Sequence, residues 1–86
     1  MQHLPLTDKG HIANSLALFV LENPQYTDII SAYNAWVKKE RTRAFPWGEA
    51  WMTVYCFTIL DTCLNQLTRE QLEELYEDEE IFLLAT

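Results

Sequence analysis

The chain has 86 residues, of which 49% are apolar and 13% aromatic, and it carries 13 acidic residues against six Lys and Arg. A chain of this length forms one domain, over residues 1–86, and its apolar content argues against disorder. The formal net charge of −7 opposes direct nucleic-acid binding, which requires cations that neutralise phosphates. We therefore expect a single folded domain whose charge suits a basic partner.

The cysteines and the N-terminal residues restrict the cellular setting. Two cysteines, Cys56 and Cys63, are too few to define a disulfide framework. On one helix they would lie about 10 Å apart along the axis, which is too far for a disulfide between them. The N-terminal residues lack the basic segment, followed by an apolar run and a cleavage site, that is typical of a signal peptide, and no uncharged stretch has a membrane-spanning length with helix-like flanks. We expect reduced cysteines, a cytoplasmic location and no membrane binding.

The first predicted helix covers residues 8–22, with Thr7 as its candidate N-cap and Gly10 as the alternative that marks a later start. Apolar residues recur at helical spacing and form one stripe along this helix: Ile12, Ala13, Leu16, Phe19 and Val20. Ser15 lies on the opposite, polar side. Leu18 and Leu21 lie beyond the stripe, which suggests that this helix is buried on more than one side.

The second predicted helix covers residues 25–42. Asn23 precedes Pro24 and is therefore biased away from helical geometry, so the second helix can begin at Pro24 or be capped by Thr27. Its apolar face comprises Tyr26, Ile29, Ile30, Tyr33, Trp36 and Val37. Its cationic end contains Lys38, Lys39, Arg41 and Arg43, which complement the negative end of a helix better than they form a nucleic-acid site.

Pro46 and Gly48 predict a turn over 44–48 that leads into the third helix. The third predicted helix, residues 47–66, is the longest apolar segment and is expected to lie centrally. Its β-branched and aromatic residues would also suit a strand over 53–59, but about twenty residues without a turn signal exceed the usual strand length. The core face at helical spacing comprises Met52, Cys56, Ile59, Leu60, Cys63, Leu64 and Leu67. The first half is apolar all round, so a further element must cover Trp47, Trp51 and Tyr55.

The fourth predicted helix covers residues 69–78 and has the strongest local signals. Thr68 and Gln71 form a capping box, and Leu67 can pack on Leu72 as a hydrophobic staple. A break is expected between 77 and 81, because continuing the helix would put apolar residues on the acidic face. The apolar tail that follows, 81–85, is expected to dock, in one arrangement over the two Trp residues of the third helix. The predicted fold is thus all-α, a compact bundle of about four helices with a central apolar helix.

The acidic residues are the most conspicuous candidate site. Seven of them account for the whole net charge: Glu70, Glu73, Glu74, Glu77, Asp78, Glu79 and Glu80. One interpretation is a solvated helix face that maintains solubility, and the other is a surface that imitates the spaced charge of a nucleic-acid backbone. Aromatic residues near Trp47 and Trp51 would then anchor the partner.

The leading functional hypothesis is a small, non-enzymatic inhibitor or antagonist of phage or mobile-element type. It would cover a basic or nucleic-acid-binding surface of a larger protein through Glu70, Glu73, Glu74, Glu77, Asp78, Glu80, Trp47 and Trp51. The alternative is a structural or regulatory homodimer joined through aromatic surfaces of the first and third helices. Neither cysteine has a basic neighbour in sequence, and no metal-ligand spacing or glycine-rich phosphate loop is present, so no catalytic residue, metal or cofactor is predicted.

Overall fold

The computed structural model describes residues 8–81, and this part of the chain is all-helical without strands. The helices are α1 (Asp8–Glu22), α2 (Ile29–Glu40), α3 (Ala50–Asp61) and α4 (Arg69–Glu77), and α3 continues into a π-helical turn (Thr62–Gln66). The predicted all-α bundle is confirmed. The alternative strand over 53–59 is wrong, because those residues lie inside α3.

The core lies between α1, α2 and α3. Helix α1 packs against α2, α3, the π-helical turn and α4, and α3 packs against both α1 and α2. The largest fully buried side chains come from every α-helix and from the segment that follows α4: Ile12, Leu16, Trp36, Met52, Cys56, Ile59, Leu60, Leu72 and Ile81. Burying each large apolar side chain of this kind stabilises the fold by roughly 1.5–3 kcal/mol.

Helix α2 is shorter than predicted, because Asp28 rather than Pro24 or Thr27 starts it. The Asp28 backbone is extended and its carboxylate accepts a hydrogen bond of 3.0 Å from the Ser31 backbone N–H. Aspartate ranks above threonine as an N-cap. The bond from Ser31 also lowers the pKa of Asp28, which keeps the cap ionised.

Helix α3 begins three residues later than predicted. A turn precedes it, in which the Glu49 N–H donates to the Pro46 carbonyl at 3.0 Å, so Trp47 lies outside the helix. At the other end, the Leu67 N–H donates to the Thr62 carbonyl at 3.1 Å, which closes the wider π-helical turn. The predicted segment 47–66 is therefore a turn, an α-helix and a π-helical turn in succession.

Candidate functional site

The predicted start of α4 is confirmed. The Gln71 N–H donates to the Thr68 hydroxyl at 3.1 Å, and the Thr68 N–H donates back to the Gln71 side-chain carbonyl at 2.9 Å. Leu67 and Leu72 line the same crevice beside this turn, in the positions that a hydrophobic staple requires. The cap thus fixes both the position of α4 and the direction in which its outer face points.

The two faces of α4 differ sharply in burial. Leu72 is buried, and Leu75 and Tyr76 are partly buried against the core. The acidic residues of α4 and of the turn after it are all exposed: Glu70, Glu73, Glu74, Glu77, Asp78, Glu79 and Glu80. The helical spacing of the apolar residues therefore predicted this charged surface correctly.

The break expected after residue 77 is present. The Glu79 N–H donates to the Tyr76 carbonyl and the Glu80 N–H to the Leu75 carbonyl, which is the Schellman pattern at a helix C-terminus. Glu79 has φ 58°, a left-handed conformation that glycine usually occupies in this motif. Ile81 is then fully buried. The expected docking of the tail falls mainly on 82–85, outside the described residues, as does the cap predicted at Thr7.

Most of the acidic surface has no ion-pair partner within the described chain. Ion pairs join Lys39 to Glu22 at 3.9 Å and Arg43 to Glu40 at 3.1 Å, and neither uses a carboxylate of α4. On α4, Arg69 pairs with Glu73 at 3.3 Å, and no other carboxylate of residues 70–80 pairs with a cation in the range 8–81. The surface around α4 therefore retains most of its negative charge for interactions outside the molecule.

The structure places the two predicted tryptophan anchors in different settings. Trp47 packs against Trp36 and Phe45, with ring centroids 5.4 and 5.6 Å away, and its indole N–H donates to the Arg43 carbonyl at 2.9 Å. The additional element that was expected to cover Trp47 is therefore α2 together with the α2–α3 connection. Trp51 instead lines an open groove between α1 and α3.

This groove has a volume of about 430 Å³ and an apolar floor. Val54 is 68% exposed in it, and the Lys9 ammonium lies 5.6 Å from the ring centroids of both Trp51 and Tyr55. The Tyr55 ring is buried, and burial raises the pKa of Tyr55 to about 12. Its hydroxyl has no hydrogen-bond partner among the described residues. Lys9 therefore covers the aromatic pair only in part, and Val54 remains uncovered in the described structure.

A polar network between α1 and α2 was missed from the sequence, which placed Ser15 on a polar outer side. The buried Trp36 indole N–H donates to the Ser15 hydroxyl at 2.9 Å, and that hydroxyl donates to the Glu40 carboxylate at 3.1 Å. Arg43 pairs with the second oxygen of Glu40. The available signal was Trp36 itself, because a buried indole N–H usually has an acceptor.

The two cysteines are buried and are not disulfide-bonded. Burial raises the pKa of each thiol to about 12, so the thiolate needed for nucleophilic attack or metal binding is disfavoured at neutral pH. Within residues 8–81, no group of three or more His, Cys, Asp and Glu side chains is arranged to hold a metal ion. Among the described helices, none combines the length and apolar character required to cross a membrane.

No protein-family model, curated protein or solved structure matches this chain. The features of the described structure that bear on function are therefore the acidic surface of α4 and the apolar surfaces beside it.

Proposed function

We propose that this protein is a small non-enzymatic binding protein that inhibits a larger protein by covering its basic or nucleic-acid-binding surface. The observation that carries the proposal is the row of exposed carboxylates on α4 and the following turn, of which only Glu73 is paired within residues 8–81. Antagonists of phage or mobile-element type, which imitate DNA, are the functional class that this surface suits best.

The arrangement of charge supports this class of partner. Residues three and four apart on a helix lie about 5–6 Å apart, so Glu70, Glu73, Glu74 and Glu77 form a compact array of negative charges. A protein that binds nucleic acid presents Lys and Arg to phosphates, and the same cations can pair with such an array. Concentrated charge of one sign also accelerates encounter with a partner of the opposite sign.

The aromatic groove supplies an apolar contact in this proposal. Trp51 and Val54 lie on the open side of α3, and tryptophan is among the residues that most often carry binding energy at interfaces. Trp47 contributes mainly by supporting the fold, since its indole is already bonded to the Arg43 carbonyl. Of the two predicted anchors, Trp51 is therefore the one better placed for contact with a partner.

The test is affinity capture from native lysate with tagged wild-type protein and with a Glu73→Gln, Glu74→Gln, Glu77→Gln variant. A matched control, Asp8→Asn, Glu22→Gln, Glu49→Gln, removes the same number of charges from exposed positions outside α4. Circular dichroism verifies that each variant remains helical.

The proposal predicts that wild type and control capture the same partner, that the α4 variant loses it, and that duplex DNA competes for the captured protein. Equal capture by all three proteins would show that the acidic surface only maintains solubility.

The second candidate is a homodimer joined through the aromatic surfaces of α1 and α3. The observation that favours it is the groove that contains Lys9, Trp51 and the 68% exposed Val54. Sedimentation equilibrium separates the two candidates. A dimer that persists at high salt and dissociates on Val54→Asp would support the second candidate, whereas a monomer supports the first.

A further inference from the structure

The cations at the end of α2 are divided between two sides of the helix. Lys39 and Arg43 lie on the side that faces α1, where each already has a carboxylate partner. Lys38 and Arg41 are exposed, and neither pairs with a carboxylate of residues 8–81. Two of the four cations therefore remain available for contacts outside the molecule.

Lys38 and Arg41 line an open groove of about 350 Å³ on the outer side of α2. The other residues that line it are uncharged: Tyr26, Asn34, Ala35 and Val37. Ile30, which is 56% exposed, lies one turn before Asn34 on the same face of the helix. This basic groove thus combines two unpaired cations with an exposed apolar side chain and has no acidic residue in its described lining.

The acidic surface of α4 is the electrostatic complement of the basic groove. Residues three or four apart on a helix lie about 5–6 Å apart. Lys38 and Arg41 have this spacing, and so do successive members of the series Glu70, Glu74 and Glu77. None of these three carboxylates has an ion-pair partner among the described residues. No ion pair joins the two surfaces within one described chain, so their pairing requires a second copy.

The net charge of −7 permits this contact because of where it lies. The seven acidic residues of the range 70–80 account for all of it, and the other six acidic residues balance the six Lys and Arg. Repulsion between copies therefore arises mainly between their α4 segments. A contact between α4 of one copy and the basic groove of another brings unlike charges together instead.

We propose that the basic groove binds the acidic surface of a second copy of this chain, with Lys38 and Arg41 of one copy paired to carboxylates among Glu70, Glu74 and Glu77 of the other. The contact joins two different surfaces and is therefore heterologous, or head-to-tail. Exposed ion pairs are individually weak and are screened by salt, so the association is weak and salt-sensitive.

The inference goes beyond the proposed function and does not depend on it, because both surfaces belong to this chain. It also differs from the homodimer joined through α1 and α3, because an apolar interface persists at high salt and this contact does not. Self-association would compete with a basic partner for the same carboxylates of α4.

Sedimentation equilibrium at about 0.01 M and about 1 M salt tests the contact, because the Debye length falls from about 30 Å to about 3 Å between them. We expect wild type to associate at low salt and to dissociate at high salt. A Lys38→Gln, Arg41→Gln variant should associate about tenfold more weakly at low salt, through the loss of two exposed ion pairs.

The matched control is Lys39→Gln, Arg43→Gln. It removes the same charge from the same end of α2, but on the side that faces α1, and it should associate as wild type does. Circular dichroism verifies that each variant remains helical.

Mixing two variants tests the pairing of the surfaces directly. A Glu70→Gln, Glu74→Gln, Glu77→Gln variant should also associate about tenfold more weakly, although it reduces the repulsion between copies. An equimolar mixture with the Lys38→Gln, Arg41→Gln variant should restore association, because the intact groove of one protein can bind the intact α4 of the other.

Four results would overturn the inference: a wild-type monomer at both salt concentrations, a dimer that persists at high salt, an equal loss of association in the matched control, or no association in the mixture. If wild type is monomeric and a synthetic oligoglutamate peptide shifts the amides of Asn34 and Lys38, the groove instead binds an acidic segment of another protein. The capture experiment tests the proposed function separately, because the presence or absence of a captured partner does not alter the sedimentation of the purified chain.

Discussion

Helices α3 and α4 are held in place by different means. Helix α3 buries Met52, Tyr55, Cys56, Ile59 and Leu60, yet its N-cap residue makes no side-chain cap bond. Helix α4 buries only Leu72, but it begins with a complete capping box and ends in a Schellman motif. Burial thus determines the position of α3, whereas local hydrogen bonds at both ends define α4.

The outer surfaces of the two helices follow from this difference. The ends of α4 satisfy its exposed backbone groups and Leu72 fixes its inner face, so its outer face can carry carboxylates without loss of core contacts. The outer face of α3 includes the apolar Trp51 and Val54, which neighbouring helices cover incompletely. The charged surface and the aromatic groove are therefore two candidate contact surfaces with different physical origins.

The largest expected effect tests whether burial holds α3. Ile59→Ala removes a fully buried side chain and should lower the free energy of unfolding by about 2–5 kcal/mol. Val54→Ala in the same helix removes an exposed side chain and should change it by less than about 0.5 kcal/mol. Urea unfolding followed by circular dichroism measures both. Similar losses for the two variants would mean that the exposed half of α3 is buried in solution, as the homodimer candidate requires.

A smaller effect is expected at the start of α4. Thr68→Ala removes the hydroxyl that accepts the Gln71 N–H bond and should cost about 1 kcal/mol. Thr53→Ala, at an exposed position inside α3, removes no cap and should leave stability unchanged or slightly higher, because alanine favours helices more than threonine. Hydrogen exchange at the Gln71 amide should accelerate in the first variant only. Unchanged exchange there would show that α4 depends on Leu72 rather than on its cap.

The sequence predicted those parts of the fold whose signals are local. The end of α1, the capping box at Thr68 and the break after Glu77 follow from helical spacing and from side chains that bond to nearby backbone. The start of α2 was assigned too early, because Pro24 and Thr27 are acceptable start residues and only the structure shows that Asp28 makes the bond. The turn before α3 was expected over 44–48 from Pro46 and Gly48, but the start of the helix was placed three residues too early, because the apolar segment has no strong cap.

The candidate site, like the fold, was predictable only where its signals are local. The exposure of the acidic residues follows from their position opposite Leu72, Leu75 and Tyr76 on a helix. The different settings of Trp47 and Trp51 could not be predicted from the sequence, because they depend on where α2 and α1 pack. The crevice beside α4 also required the fold, since it joins residues from 20 to 72 that share no pattern in the sequence.

The smallest expected effect tests the other end of α4, where Glu79 has φ 58°. A residue with a Cβ is strained in this left-handed region by roughly 1 kcal/mol, and glycine is not. Glu79→Gly should therefore raise the free energy of unfolding by about 0.5–1 kcal/mol. Glu80→Gly is the matched control, because it removes the same charge from an exposed residue without a positive φ, and it should not stabilise the protein through backbone strain. Both variants relieve the same charge repulsion. The difference between their free energies of unfolding in urea therefore measures the cost of the positive φ at Glu79. Equal stability of the two would mean that the end of α4 in solution is not the Schellman motif, and that the carboxylates of residues 78–80 lie elsewhere than on the surface assigned to the partner.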